Sequence, residues 1–139
     1  MGTRRQAREH SLQLLYQIDM AGSEGEEAIR LHWSLEPADP DVVDFANQLA
    51  RGAAENLERI DELISEASTN WKVSRMSYVD RNILRLATFE FLGMDDVPPM
   101  ASLNEAIELG KRFGTTESGA FINGILDRIA RNLDLTGGR

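Results

Sequence analysis

Cysteine is absent from the sequence, which excludes disulfides, thiolate metal sites and a cysteine nucleophile. Histidine is nearly absent: His10 and His32 are the only two. Neither has a second histidine at helical ligand spacing, and a zinc site needs three or four placed ligands. Both are read as ordinary structural or surface residues, and no metal or cofactor is expected. No run of 18 apolar residues occurs, so no membrane-spanning segment is expected. The opening MGTRRQAREH carries charge with no apolar stretch behind it, unlike a secretory signal, and a cytoplasmic location is the expectation. Catalytic patterns are missing as well. There is no Gly-x-Ser-x-Gly elbow and no histidine placed for a triad. The acidic pairs Glu26-Glu27 and Asp95-Asp96 are adjacent, so on a helix they point about 100° apart. They cannot flank a substrate and are expected on the solvated surface. The sequence does not read as an enzyme.

What is present fits a chain of 139 residues with 42% apolar content, enough for the core of one domain. The periodicity is helical throughout, and no segment alternates with period two. Thr3 is placed as the cap of a first helix running to about Met20 and stopping at Gly22, with Ala7, Leu14, Leu15 and Ile18 facing a core. A short second helix spans Gly25 to Ser34, and Pro37 and Pro40 separate it from the next. A long helical pattern runs from Asp41 to about Ser68 with a kink between Gly52 and Asn56. Thr69 to Met76 is a connector carrying Trp71.

Ser77-Tyr-Val-Asp80 reads as a capping box for a helix whose residues Ile83 to Leu92 are apolar on most sides, hence central and buried. Pro98 and Pro99 imply an extended link. Ser102-Leu-Asn-Glu105 is read as a second capping box, opening a helix that ends at Phe113-Gly114. A final helix starts near Thr116, with Phe121, Ile122, Ile125, Leu126, Ile129, Ala130 and Leu133 as its apolar stripe. The predicted fold is all-α, about seven helices in a bundle-like single domain over 1–139 or two small packed subdomains, with a flexible tail at 134–139.

The net charge is −8, yet its distribution is lopsided. Residues 1–10 hold Arg4, Arg5 and Arg8 against Glu9, a local +2 that leaves −10 on the remainder. Arg4 and Arg8 share one helix face, with Arg5 about 100° round. A solvated basic end is the plain reading. It has a difficulty, because cations at a helix N-terminus oppose the macrodipole if they are exposed and unpaired. Phosphate binding accounts for their placement better, since guanidinium offers forked donors to phosphate oxygens. Gly114 to Gly119 has the glycine spacing of a phosphate loop, but Ala120 and Phe121 stand where the lysine and hydroxyl are needed. What remains there is a glycine-terminated helix and a new helix start, with Phe121 in the core or under an RNA base.

These segments together resemble the NusB family. Asn104-Glu-Ala-Ile-Glu-Leu-Gly-Lys-Arg-Phe-Gly114 followed by Phe121-Ile-Asn-Gly-Ile-Leu-Asp127 is similar to its C-terminal signature. Trp71-Lys-Val-Ser-Arg-Met76 with Val79-Asp-Arg-Asn-Ile-Leu-Arg85 is similar to its central segment, and Arg4-Arg-Gln-Ala-Arg-Glu9 through Leu14-Leu-Tyr-Gln17 to its first helix. The resemblance implies transcription antitermination, with binding of boxA RNA in nascent ribosomal RNA transcripts alongside NusE, a small-subunit ribosomal protein, in a complex on RNA polymerase. It implies RNA-binding roles for Arg4, Arg5, Arg8, Glu117, Ser118 and Phe121, partner-binding roles for Tyr16 and Asp80, and either a monomer or a homodimer. Two positions depart from the family pattern: Ile122 where valine is usual, and Gly110 where alanine is usual, the latter expected to loosen its helix by up to about 1 kcal/mol. Two alternatives stay open. One is a NusB-like domain serving ribosomal RNA modification, as in some cytosine methyltransferases. The other is a protein-only helical scaffold, which would leave the arginine placement unexplained.

Overall fold

In the computed structural model, residues 2–22 and 24–135 are described. Among them lie seven α-helices and one 3-10 turn, with no strand. The helices are α1 (Thr3–Ala21), α2 (Gly25–Leu35), α3 (Pro40–Glu55), α4 (Leu57–Ala67), α5 (Tyr78–Gly93), α6 (Pro99–Phe113) and α7 (Ser118–Asn132), and the 3-10 turn is Val73–Arg75. The all-α expectation of about seven helices is met. Among the described residues, no helix is long and apolar enough to cross a membrane.

The local rules worked where a glycine or serine acts alone. Gly22 ends α1 at φ 64°, donating its amide to the Ile18 carbonyl, a left-handed conformation that glycine adopts without penalty. Ser77 Oγ accepts from the Asp80 amide at the start of α5. The expected kink near Gly52–Asn56 is a full break. Asn56 leaves helical geometry at φ −111°, and its Nδ2 donates back to the Gly52 carbonyl at 2.8 Å. Gly52 itself is required by packing, since a Cβ there would fall on the Phe89 ring.

Three expectations at helix starts are corrected. Thr3 lies inside α1, and the cap position belongs to Gly2, with no side-chain cap. Pro98 is extended, but Pro99 is the first helical residue of α6, where a missing amide costs nothing. The expected capping box at Ser102 to Glu105 therefore falls within the helix, and Ser102 is 1% exposed. Its hydroxyl serves a buried carboxylate instead. At the far end, Asp134 at φ 60° and Leu135 close a Schellman motif on α7, with their amides reaching Arg131 and Ala130. Residues 136–139, the rest of the expected tail, lie outside the described residues.

Helix α5 packs against α1, α3, α4, α6 and α7, and every residue from Asn82 to Glu90 is buried. One continuous apolar cluster runs from Ala7 and Leu12 on α1 through Ile83, Leu84 and Leu86 to Ile122 and Ile129 on α7. The charged groups inside this belt are paired, whereas the buried Thr88 hydroxyl has no hydrogen-bond partner among the described residues. Asp19 accepts both forks of Arg81 at 2.7 and 2.8 Å, Asn82 Nδ2 at 2.9 Å and Arg85 Nη1 at 3.1 Å. Arg85 also grips Asp61 on α4 with two bonds of 2.9 Å. Burial alone would push the Asp19 carboxyl up, but these donors and charges hold it below the usual carboxylate range.

The two departures from the family pattern meet in space. A Cβ built on Gly110 would stand 2.7 Å from Ile122 Cδ1, so the methyl that isoleucine adds to valine occupies the space an alanine at 110 would need. The glycine is thus matched to its neighbour. Gly110→Ala should be more favourable by about 1–2 kcal/mol in an Ile122→Val background than alone, the helix-propensity gain being realised only once the overlap is relieved; denaturant unfolding of the four-member cycle checks this. A second expectation concerns His10 Nδ1, which lies 2.9 Å from Nε2 of the buried His32. Burial, then proximity to His10, lowers the His32 pKa against an opposing pull from Glu36. The unfolded chain therefore binds the proton more readily, and stability should fall as pH drops below about 6.5. Unfolding free energies at pH 7.5 and 5.5 should diverge more for the natural chain than for His32→Gln.

Candidate nucleic-acid interface

The three arginines of α1 are not a row of unpaired cations. Each faces a carboxylate from α5, α6 or the link between them. Arg4 Nη2 donates to Asp96 at 2.8 Å, with both side chains at least half exposed. The Arg5 fork donates to both oxygens of Glu105, at 2.9 and 2.7 Å. The Arg8 fork does the same to Glu90, at 2.9 and 2.7 Å, and Ser102 Oγ donates a further 2.7 Å bond to Glu90. The guanidinium carbons of Arg4 and Arg8 also stand over the Phe45 ring, 4.6 and 5.7 Å from its centre. The macrodipole penalty expected for unpaired cations is thereby offset by nearby anions.

Burial separates the three. Arg8 is 6% exposed and Glu90 3%, so this fork belongs to the interior, with Arg8 Nε and Nη2 both given to Glu90. Arg4 and Arg5 lie on the surface, their side chains each 50% exposed. Arg5 hydrogen bonding holds the Glu105 carboxyl below its ordinary range against a smaller opposing effect of burial, assisted by the charges of Arg5 and Arg8. The Arg4 bond does likewise for Asp96. On α6, Arg112 Nη1 meets Glu9 of α1 at 2.6 Å. Arg5, Lys111 and Arg112 share with Glu9 and Glu105 a groove of about 260 Å³ between α1 and α6.

Glu117, Ser118 and Phe121 form a second region at the start of α7. Ser118 is buried at 1% exposure, and its hydroxyl accepts the Thr115 amide at 2.9 Å, so it shapes the turn rather than facing outward. Glu117 is exposed, and Phe121 is half-buried with Trp71 edge-on at 6.3 Å between ring centres. These residues line a groove of about 200 Å³ together with Arg75, Met76 and Asp80. Asp80 therefore sits with the residues expected to face RNA. Tyr16 is elsewhere, packed at 5.7 Å against Tyr78, over which the Arg81 guanidinium lies at 4.4 Å. The side chain of Lys111 lies between the two regions: it lines the groove beside Arg5 and lies within van der Waals reach of a Cβ at Gly119, next to Ser118.

Asp96 is on the surface as expected, but sequence reasoning missed its bond to Arg4, and it gave Glu105 to a cap. It also missed Glu90. A carboxylate inside an otherwise apolar helix was the available signal, because such a charge stays ionised only with a partner.

The described residues place two exposed arginines at one end of a helical fold, beside a groove of mixed charge. The model described as the NusB family matches residues 5–131. The chain is 50% identical over 131 residues to the transcription antitermination protein NusB of Anaeromyxobacter dehalogenans strain 2CP-1, covering 94% of this chain and 92% of the relative. With that of Sorangium cellulosum it shares 46% over 133 residues, covering 96% and 95%. Among solved structures, NusB of T. maritima superposes with a TM-score of 0.85 at 42% identity, covering 92% of this chain and 90% of that one. A chain in the crystal structure of antitermination factors NusB and NusE in complex with dsRNA gives 0.86 at 26%, covering 95% and 98%. The protein belongs to the NusB family.

Breaking the interior fork should be costly. Arg8→Ala is expected to lower unfolding free energy by about 3–5 kcal/mol, because it strands Glu90 as an unpaired buried charge. Urea titration by circular dichroism measures this.

Proposed function

We propose that this chain is a transcription antitermination factor that holds boxA-type RNA of nascent ribosomal RNA transcripts together with a NusE-like ribosomal protein, within a complex on RNA polymerase, and that it catalyses no reaction. The observation that carries the RNA part is the end of α1. In a protein of net charge −8, Arg4 and Arg5 are surface guanidiniums, with Lys111 and Arg112 of α6 on the adjoining face. Forked donors of this kind match phosphate oxygens. Arg8 contributes by fixing α1 against α5 and α6, so its neighbours are aimed rather than free. The Trp71–Phe121 groove, with Glu117 on its rim, lies beyond Lys111 and offers aromatic faces on which unpaired bases stack.

Tyr16 and Tyr78 form the proposed contact for the protein partner, with Asp80, on the first turn of α5, at the border of the two faces. The names of the relatives and the composition of the solved NusB–NusE–dsRNA complex support this assignment of partners. A cationic patch this small gives modest affinity by itself, which is the physical reason a second protein is needed.

Fluorescence anisotropy of a labelled boxA RNA, with and without the partner, tests the proposal. Binding should be weak alone and much tighter in the pair. Arg4→Ala with Arg5→Ala should lower affinity and reduce the salt slope by about 1.4, or roughly 0.7 for each phosphate no longer neutralised, with helical content unchanged. Equal affinity with and without the partner would refute cooperation. Unaltered binding by the double variant would leave the protein-only scaffold as the better account.

A further inference from the structure

We propose that Glu105, with Asp96, is a specificity-determining counter-charge of this site: built-in anions that hold Arg5 and Arg4 until a phosphodiester chain takes their place on the guanidiniums. The inference rests on the RNA-binding reading above. It starts from the match in shape. Glu105 engages Arg5 through two parallel bonds of 2.9 and 2.7 Å, the geometry by which the same fork would take two phosphate oxygens. The Nε–Nη2 edge of Arg5 cannot hold both, so a phosphate taken on that edge exchanges one anion for another.

The structure also determines which partner moves. The Glu105 side chain is 21% exposed and is steadied by Arg8 Nη1 at 3.9 Å, and Arg8 is itself locked to Glu90. The Arg5 side chain is 50% exposed. Glu105 therefore stays in place when the pair opens, and Arg5 swings outward on its flexible stem. Arg4 and Asp96 make a second, looser copy of the arrangement, both at the surface and 2.8 Å apart.

The chemical consequence concerns which ligands succeed. A single phosphate, or a strand held at one point at a time, replaces a carboxylate already in good geometry and gains little. A strand positioned elsewhere as well, through its bases or through the partner protein, engages both arginines together and recovers the cost of opening them. Resident carboxylates therefore weaken non-cognate single strands more than the cognate RNA, so the site selects by penalising the wrong ligand as well as by rewarding the right one.

The full chain with its NusE-like partner is titrated with a boxA RNA and with a non-cognate single strand of equal length, at two salt concentrations. Glu105→Gln keeps the shape and a neutral hydrogen bond. It should tighten the non-cognate complex by about fivefold, on the scale of one released surface ion pair, tighten the cognate complex less, and steepen the non-cognate salt slope. The gain should vanish in the Arg5→Ala, Glu105→Gln double variant and should be absent in Glu58→Gln, which removes an exposed charge from α4. Equal affinities for Glu105→Gln and the natural chain, a gain that survives Arg5→Ala, or the same gain from Glu58→Gln would each overturn the counter-charge. If Arg5→Ala still weakens cognate binding in those cases, the RNA reading stands without it. No effect of Arg5→Ala in either background would remove both.

Discussion

The fork between Arg8 and Glu90, with Ser102 closing the third side, joins α1, α5 and α6 at one buried point. Ionised groups do not remain in an apolar interior without compensation, and here each charge is satisfied by the other in bidentate geometry. The arrangement fixes where α1 begins relative to α6, and so determines where Arg4 and Arg5 emerge on the surface. The outer arginines inherit their placement from the inner one. A second polar knot, Asp19 with Arg81, Asn82 and Arg85, ties the other half of α1 to α5 and, through Asp61, to α4. Between these two anchors the apolar faces have a single register in which to pack.

Much of the fold was readable from local chemistry. Helix periods, the glycine stop at Gly22, the serine cap at Ser77 and the burial of α5 on most sides each depend on near neighbours in sequence, and each was found. The errors share a cause. Thr3 and Ser102 were given to caps because hydroxyl residues favour such positions, but the competing roles lie elsewhere: a glycine at the cap in one case, a carboxylate 12 residues away in the other. Pro99 was placed in a link because a proline pair suggests extension, whereas only the first of the two needs it.

The candidate surface was legible only in part. Residue type and position singled out the cationic end of α1, but no rule of spacing could tell that Arg8 points inward while Arg4 and Arg5 point outward. That distinction depends on Glu90, Asp96 and Glu105, between 82 and 100 residues distant in sequence. Likewise Trp71 of the connector and Phe121 of α7, 50 residues apart in sequence, meet edge to face only in the folded chain. Acidic residues in this protein are thus not mere solubilising decoration around a basic patch. Several of them are its immediate neighbours, hydrogen-bonded to its arginines.

The meeting of Gly110 with Ile122 bears on how this protein could exchange parts with its relatives. Where the pair is alanine and valine, the same volume is divided differently between α6 and α7. A graft that imported α7 alone would leave a methyl-sized hole beneath Gly110, and one that imported α6 alone would force two atoms into one place. The two helices form one hereditary unit at this seam, and any hybrid has to carry both across together.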